Sequence, residues 1–390
     1  MLPEIKYLPV NWVDGMKISR HHFIHHENAV YEQIRDAISM NLTDYNYGLL
    51  PPAPNEKQSL DIRVQLEQND LLRVKVLACR AITRGGVRIE LTGNKFSGEQ
   101  ALNPSLEATY HIDHPDKLLL DVIVTANPFS RVQVGPPDPE ETPLRYPYTM
   151  PEYRLEIVPS DQINITDIGA YHLTIGKVRV ISNEAKLSEH YFPSSTSVQS
   201  YPPLMNVYYE FGNSLGQLGA DTISIIKKIK IKNERGLLAE NVHYLADKIA
   251  YFLSSHMDHY RLVIPQQPPI FMVEFFARFA RVVKTAVACV SDTGKEEMLK
   301  YFMEWSDLRP GMIENTVDTL LEQEYNHMDI SRSIQSSAKF LDMVGSLFRK
   351  LSQLDYIGKG KETPKPPEPK PGIFINEEEE TRKKKGLWNF

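Results

Sequence analysis

Residues 204–259 read LMNVYYEFGNSLGQLGADTISIIKKIKIKNERGLLAENVHYLADKIAYFLSSHMDH, and two runs inside this stretch decide the helical half of the fold. Leu204, Tyr208, Phe211, Leu215, Leu218, Thr222, Ile225 and Ile229 follow one another by alternating steps of four and three. Leu238, Val242, Leu245, Ile249, Phe252 and His256 repeat the alternation, and Asn233 to Gly236 separate the two runs. An apolar stripe recurring about every 3.5 residues turns a narrow seam toward a partner helix. The spacing therefore predicts a helical hairpin over residues 201–264. Two kinds of partner satisfy such a seam: helices of the same chain, as in an antiparallel bundle, or like helices of neighbouring copies. Under the second reading Leu204, Tyr208, Phe211, Leu215, Leu218, Ile225 and Ile229 are the interface of an oligomer.

Upstream of the hairpin the period changes to two. Leu60, Ile62, Val64 and Leu66 alternate with polar residues, Gln68-Asn69-Asp70 supply a turn, and Leu72, Val74 and Val76 resume the alternation. Gly85-Gly86 mark a second turn before Val87, Ile89 and Leu91. Lys117 to Ala126 is apolar on both faces, as a covered strand would be, and the phase shift at Gly176-Lys177 predicts a β-bulge. Short strands at regular spacing, with no helix between them for a parallel crossover, predict an antiparallel β-sandwich over residues 55–200. From Pro128 to Pro151 seven prolines predict a long extended loop, and the serine-rich run 194–200 reads as a linker. Ahead of the sandwich, residues 1–54 form a lead segment with one amphipathic helix, whose face of Phe23, Val30, Ile34, Ala37 and Ile38 is expected to be buried.

Downstream, helices are expected through residues 265–357, including a run from Ile270 to Val290 with Phe271, Phe275 and Phe279 on its stripe. Residues 358–390 change character: KGKETPKPPEPKPG is a polyproline linker, and beyond it Glu377 to Glu380 stand four residues before Thr381 to Lys384, ahead of Leu387-Trp388-Asn389-Phe390. This flexible tail is expected to order on a partner through Leu387, Trp388 and Phe390. The fold class is thus α+β: an antiparallel β-sandwich, then a helical bundle, then the tail.

Composition narrows the function. With 390 residues, 42% hydrophobic and 24% charged, the chain has the make-up of a soluble globular protein. A net charge of -6 with no basic stripe gives no case for nucleic acid. Two cysteines far apart in apolar runs, Cys79 and Cys289, fit a cytosolic protein with buried thiols. No run of 18 apolar residues occurs, so no direct membrane insertion is expected.

Two motifs invite a chemical reading. Gly212-Asn213-Ser214-Leu215-Gly216 matches the G-x-S-x-G pattern of a serine hydrolase, making Ser214 a candidate nucleophile. That chemistry needs a strand, a sharp turn and a helix, whereas these five residues lie inside the seam. His21, His22, His25 and His26 form two i,i+4 pairs that would suit a metal, yet no HExxH pattern accompanies them, so no metal or other cofactor is expected. Neither a P-loop nor a dinucleotide fingerprint occurs.

Val10-Asn11-Trp12-Val13-Asp14-Gly15-Met16, then His22-Phe23, then Tyr47-Gly48-Leu49 together resemble the N-terminal signature of the TssK family, baseplate subunits of the bacterial type VI secretion system. The likeness covers about the first fifty residues at motif level. It implies a non-enzymatic, phage-tail-like structural protein working as a homotrimer in the cytoplasm, assembled at the inner face of the inner membrane. Its β domain would meet the baseplate wedge subunits, of TssF and TssG type, with Trp12, Gly15, Met16, His22 and Phe23 on that side. Its C-terminal region would reach a membrane-complex subunit. The sequence departs from familiar members where they continue into a folded docking domain, and a different membrane partner is the corresponding expectation. A serine hydrolase at Ser214 and an unrelated phage-tail-like binding module are the competing readings.

Overall fold

The computed structural model describes residues 4–54, 56–91, 106–112, 118–163, 169–181 and 184–358. The predicted tail, including Leu387, Trp388 and Phe390, lies outside the described residues. Within them the chain is α+β: two antiparallel sheets, then a helical bundle.

The first sheet is organised on β3 (Leu71–Ile82). One edge of β3 takes β2 (Leu60–Glu67) and then β1 (Gly48–Leu49), and the other takes β5 (Leu106–His111) and β4 (Arg88–Leu91). The β2–β3 turn places Asn69 and Asp70 at positive φ, which these two residue types tolerate better than most. The second sheet runs β7 (Tyr148–Pro159), β6 (Leu118–Val134), β8 (His172–Ile181) and β9 (Glu184–Leu187). Its register slips by one residue opposite Val122 and Ile123, so Ile175 is the extra residue of the expected bulge. Alternate side chains of the two sheets, among them Leu72, Val74, Leu120, Val122, Val124 and Leu173, fill the core between them.

Residues 128–151 are not a loop. β6 and β7 pair out to Val134 and Tyr148, after an irregularity between Asn127 and Arg131, and form a projecting hairpin arm. Most of the prolines gather at its tip, where no ladder bond is needed; Pro151 is tolerated because β7 is an edge strand.

Helix α1 (Arg20–Ser39) lies on the β domain, and the bundle comprises α2 (Pro202–Lys232), α3 (Leu237–Leu262), α4 (Ile270–Ala288), α5 (Asp292–Trp305), α6 (Met312–Glu322) and α7 (Ser331–Gln353). The hairpin of α2 and α3 is as the period predicts, and Asn233 closes α2 in the left-handed conformation. Its seam, however, faces its own chain. Leu204, Tyr208, Phe211, Leu215, Leu218, Ile225 and Ile229 are all buried in one core with α3, α4 and α7, Phe211 at 6% exposure and Leu218 at 0%. Phe211 meets Phe276 edge-on at 4.9 Å, and Tyr208 stacks on Tyr260 at 4.8 Å with the Tyr260 hydroxyl donating to the Tyr208 carbonyl at 2.8 Å. Side chains already enclosed within one chain have little apolar area left to bury against another copy. Ser214 lies mid-way along the same continuous helix, exposed, with none of the strand-and-turn geometry a nucleophile elbow requires. The hydrolase reading falls with it.

The serine-rich run 194–200 is a joint rather than a linker. Ser194, Ser195, Ser197 and Ser200 are buried. The Leu49 amide donates to the Ser194 carbonyl at 2.8 Å and the Thr196 amide returns a bond to the Leu49 carbonyl at 2.9 Å. Gly48 has φ +108, and a Cβ there would collide with the Ser194 carbonyl oxygen, which explains glycine in the Tyr47-Gly48-Leu49 motif. His327, arriving from the segment before α7, plugs the same joint: its Nε2 lies 2.8 Å from the Tyr47 carbonyl and its Nδ1 2.8 Å from the Tyr325 hydroxyl. A carbonyl only accepts, so Nε2 carries the proton and Nδ1 accepts from Tyr325. Burial pushes the His327 pKa down to about 4, against the opposing pull of its bond to Tyr47.

From this joint α2 runs about 46 Å at the usual helical rise. At its far end Lys228 donates to the Leu354 carbonyl at 2.8 Å and also to that of Ser352, satisfying carbonyls left open by the end of α7. The Ile357 amide donates to Glu234 at 3.1 Å and the Gly358 amide to the Tyr301 hydroxyl at 3.1 Å. The chain therefore leaves the described residues at the end of the bundle opposite the β domain, bonded to α5.

Candidate protein-docking surface

The amphipathic stripe of α1 is present as the sequence predicts, but it is turned outward. Phe23 is 55% exposed and Ile34 50%, and Val30 and Ala37 are exposed too; only Ile38 of the expected face is half-covered. The face of α1 against the β domain carries Asn28, Ala29, Glu32 and Arg35, all buried. Such a helix is held by polar partners rather than by apolar burial, and each buried polar group needs one.

Those partners come from far along the chain. The Glu32 carboxylate accepts the Lys6 amide at 2.9 Å and the Tyr7 amide at 3.0 Å. Arg35 donates to the Tyr171 hydroxyl at 3.0 Å and lies 3.7 Å from Glu32. Arg131, at the base of the hairpin arm, donates to Asn28 Oδ1 at 3.1 Å and pairs with Glu27. The irregularity beside Arg131 sends Phe129 against Tyr7 at 4.8 Å and Tyr31 at 5.8 Å, and burial raises the Tyr31 hydroxyl pKa above its usual value.

The lead segment thus lies along α1, and its own apolar residues face outward with the helix's. Trp12 is 45% exposed and packs at 6.2 Å on His22, Phe23 and His26. His22 also closes the helix start, its Nδ1 accepting from the Ser19 amide at 3.1 Å, and His21 meets His25 at 4.2 Å. His22 and His26 therefore act as packing rings beside Trp12, His22 also as a cap, while His21 packs on His25 and His25 on Tyr7. Among the described residues no three His, Cys, Asp or Glu side chains converge as a metal site requires.

Of the residues named from sequence, Trp12, His22 and Phe23 come together on this surface; Met16 is half-buried nearby in the chain, and Gly15 makes the turn between them at φ +80. Ile5, Leu8, Val13, Ile18, Val30 and Ile34 lie outside that set, and all are exposed. The signal that finds the last two is the polar stripe Asn28, Glu32 and Arg35 on the opposite face. Ten of the 26 large exposed apolar residues described fall between Ile5 and Met40, a concentration of the kind that contact surfaces carry.

A cavity of about 510 Å³ lies elsewhere, between the outer face of the second sheet and the segment leading into α7. Lys177 stands in it 3.2 Å from Asp329 and 3.8 Å from Asp121, tying sheet to bundle, while burial raises the Asp121 pKa against the hydrogen bond from Ser160 and the charge of Lys177. Among the described residues no helix is long and apolar enough to cross a membrane.

A two-sheet β domain joined to a helical bundle, with a helix whose apolar face is turned outward, defines the class: an α+β protein. Neither a family model nor a curated protein matches the sequence. Solved structures do match in fold, and those that follow are of TssK. A crystal structure of TssK aligns with TM-score 0.51 and 15% identity, over 86% of this chain and 68% of that one. TssK from the type VI secretion system of EAEC, bound to a nanobody, gives 0.47 and 11% over 83% and 99%. A chain of the type VI TssK–TssF–TssG baseplate subcomplex gives 0.48 and 12% over 87% and 99%. At such identities the likeness is one of fold, and the fold is that of TssK.

Proposed function

We propose that this protein is a non-enzymatic structural adaptor of a type VI secretion baseplate, a divergent relative of TssK. The observation that carries the reading is α1, which is polar where it is buried and apolar where it is exposed. A helix held in this way presents its apolar face to something else, as a helix does to a partner's groove. The partner inferred is a baseplate wedge subunit of TssF or TssG type, on the strength of the Trp12 to Leu49 signature and the fold shared with TssK.

The homotrimer is retained with a different interface. The outward stripe of α2, stepping through Tyr209, Gly216, Ala220 and Ile223, keeps the seven-residue repeat and is open; nothing lies within 4 Å of a Cβ built at Gly216. The far end of the bundle, where the chain leaves α5, is the side from which the C-terminal region would reach a membrane-complex subunit.

Co-expression with TssF- and TssG-type subunits tests the reading. Wild type is expected to co-purify with them, and Phe23→Asp combined with Ile34→Asp to lose them while remaining folded; equal recovery of both would refute it. Light scattering should report a trimer that Ile223→Asp converts to monomer, and a strictly monomeric wild type at tens of micromolar would count against the adaptor.

A further inference from the structure

A second apolar feature lies at the other end of the molecule. Between α5 and α6 is a pocket of about 220 Å³ whose floor and walls are Leu299, Met303, Leu308, Pro310 and Ile313, with Glu296, Glu314 and Arg309 at its rim. The two helices around it carry an acidic excess: residues 292–322 have eight acidic side chains against three basic ones. Although Glu314, Asp318 and Asp307 pair with Lys295, Lys284 and Lys350, Glu296 at the rim and its neighbours Glu297 and Glu304 on α5 add further negative charge. An apolar hole in an acidic surface selects a ligand with a large apolar side chain next to positive charge.

The chain contains such a segment. Arg382, Lys383, Lys384 and Lys385 are followed at once by Gly386, Leu387, Trp388, Asn389 and Phe390. The acidic run Glu377 to Glu380 stands further back, away from the aromatic pair. Gly358, the last described residue, is bonded to Tyr301 on α5, the helix that supplies Leu299 and Met303 to the pocket. From there 28 residues lead to Leu387, at most about 95 Å of chain and ample to return to a site beside the anchor. A tether of that order supplies the segment to a site beside its anchor at about millimolar effective concentration. An intrinsic Kd of about 100 μM would then leave roughly nine-tenths of the pockets filled.

We propose that residues 382–390 dock in cis on the α5–α6 pocket, with Trp388 in the apolar cavity and the basic run along the acidic helices. The inference does not depend on the adaptor reading, since both pocket and segment belong to this chain.

The test uses the full chain. A photo-crosslinking amino acid at position 388 should, on irradiation, join that position to peptides of α5 and α6, and a mixture of light and heavy isotope chains should give light–light and heavy–heavy products only. In Met303→Lys, which adds charge to the pocket wall outside the main core, the yield of that product should fall at least tenfold with the melting temperature unchanged. A fluorescent peptide of residues 381–390 provides the second measurement: it should bind full-length Trp388→Ala at least fivefold more tightly than wild type, whose pocket is already filled. Crosslinks outside α5 and α6, mixed light–heavy products, or equal peptide affinity for wild type and Trp388→Ala would each overturn the proposal.

Discussion

His327 offers a test of the joint in which the sign and size of the effect both follow from geometry. Neutral in the fold, it donates to Tyr47 and accepts from Tyr325, and burial holds its pKa at about 4, against 6.5 for an open histidine. Between those two values the unfolded chain binds a proton that the folded chain refuses, so stability falls as pH drops through that window. Integrating that difference, the cost between pH 7 and pH 4.5 is about 2 kcal/mol from this one residue. The substitution His327→Gln would preserve both bonds, an amide nitrogen donating to Tyr47 and an amide oxygen accepting from Tyr325, but the new side chain would not titrate. Urea denaturation of wild type and His327→Gln should give similar stability at pH 7 and a variant about 2 kcal/mol less sensitive to acid. His327→Ala leaves a buried carbonyl and a buried hydroxyl without partners and should lose about 2–6 kcal/mol at either pH. Parallel acid profiles for wild type and His327→Gln would refute the reasoning, since His327 would then not be the group that resists protonation.

Other outcomes follow from the same contacts. Gly48→Ala should destabilise by about 2–5 kcal/mol in denaturant titration, because φ +108 and the adjacent Ser194 carbonyl both oppose a Cβ. Lys228→Met removes the donor that caps the end of α7 and should cost about 0.5–2 kcal/mol, with hydrogen exchange accelerated first around residues 350–357. Phe23→Asp, by contrast, alters stability by less than about 0.5 kcal/mol, as expected of an exposed position; a large loss in thermal melts would mean that its ring is part of the core.

Much of the fold is written in local period. The alternation through Leu60 to Leu66 and Leu72 to Val76 gives β2 and β3, and the four-three steps from Leu204 give α2 to its end. What period lacks is direction. The seam of α2 specifies that a helix packs against it without saying whose, and here α4 and α7 of the same chain arrive first, carrying Phe276 and the remainder of the core. On α1 the stripe of Phe23, Val30 and Ile34 is correct, yet its burial depends on what lies opposite. Lys6, Tyr7, Arg131 and Tyr171, up to 136 residues away in sequence, bond to Glu32, Asn28 and one nitrogen of Arg35 and so make the polar face the inner one. The joint is hidden for a similar reason: serines read as linker when their partners, Leu49 and His327, are more than 130 residues off. The arm at 128–151 escapes a local reading because prolines count against strands, although an edge strand tolerates them.

The outward face of α1 is the claim on which the functional reading rests, and hydrogen exchange on the purified chain, alone and with TssF- and TssG-type wedge subunits, addresses it most directly. Protection on mixing should appear in the peptides covering Trp12 to Ile34 and leave the inner strands β6 and β8 as they were. Binding that protects other surfaces while residues 12–34 exchange at their free rate would contradict the account.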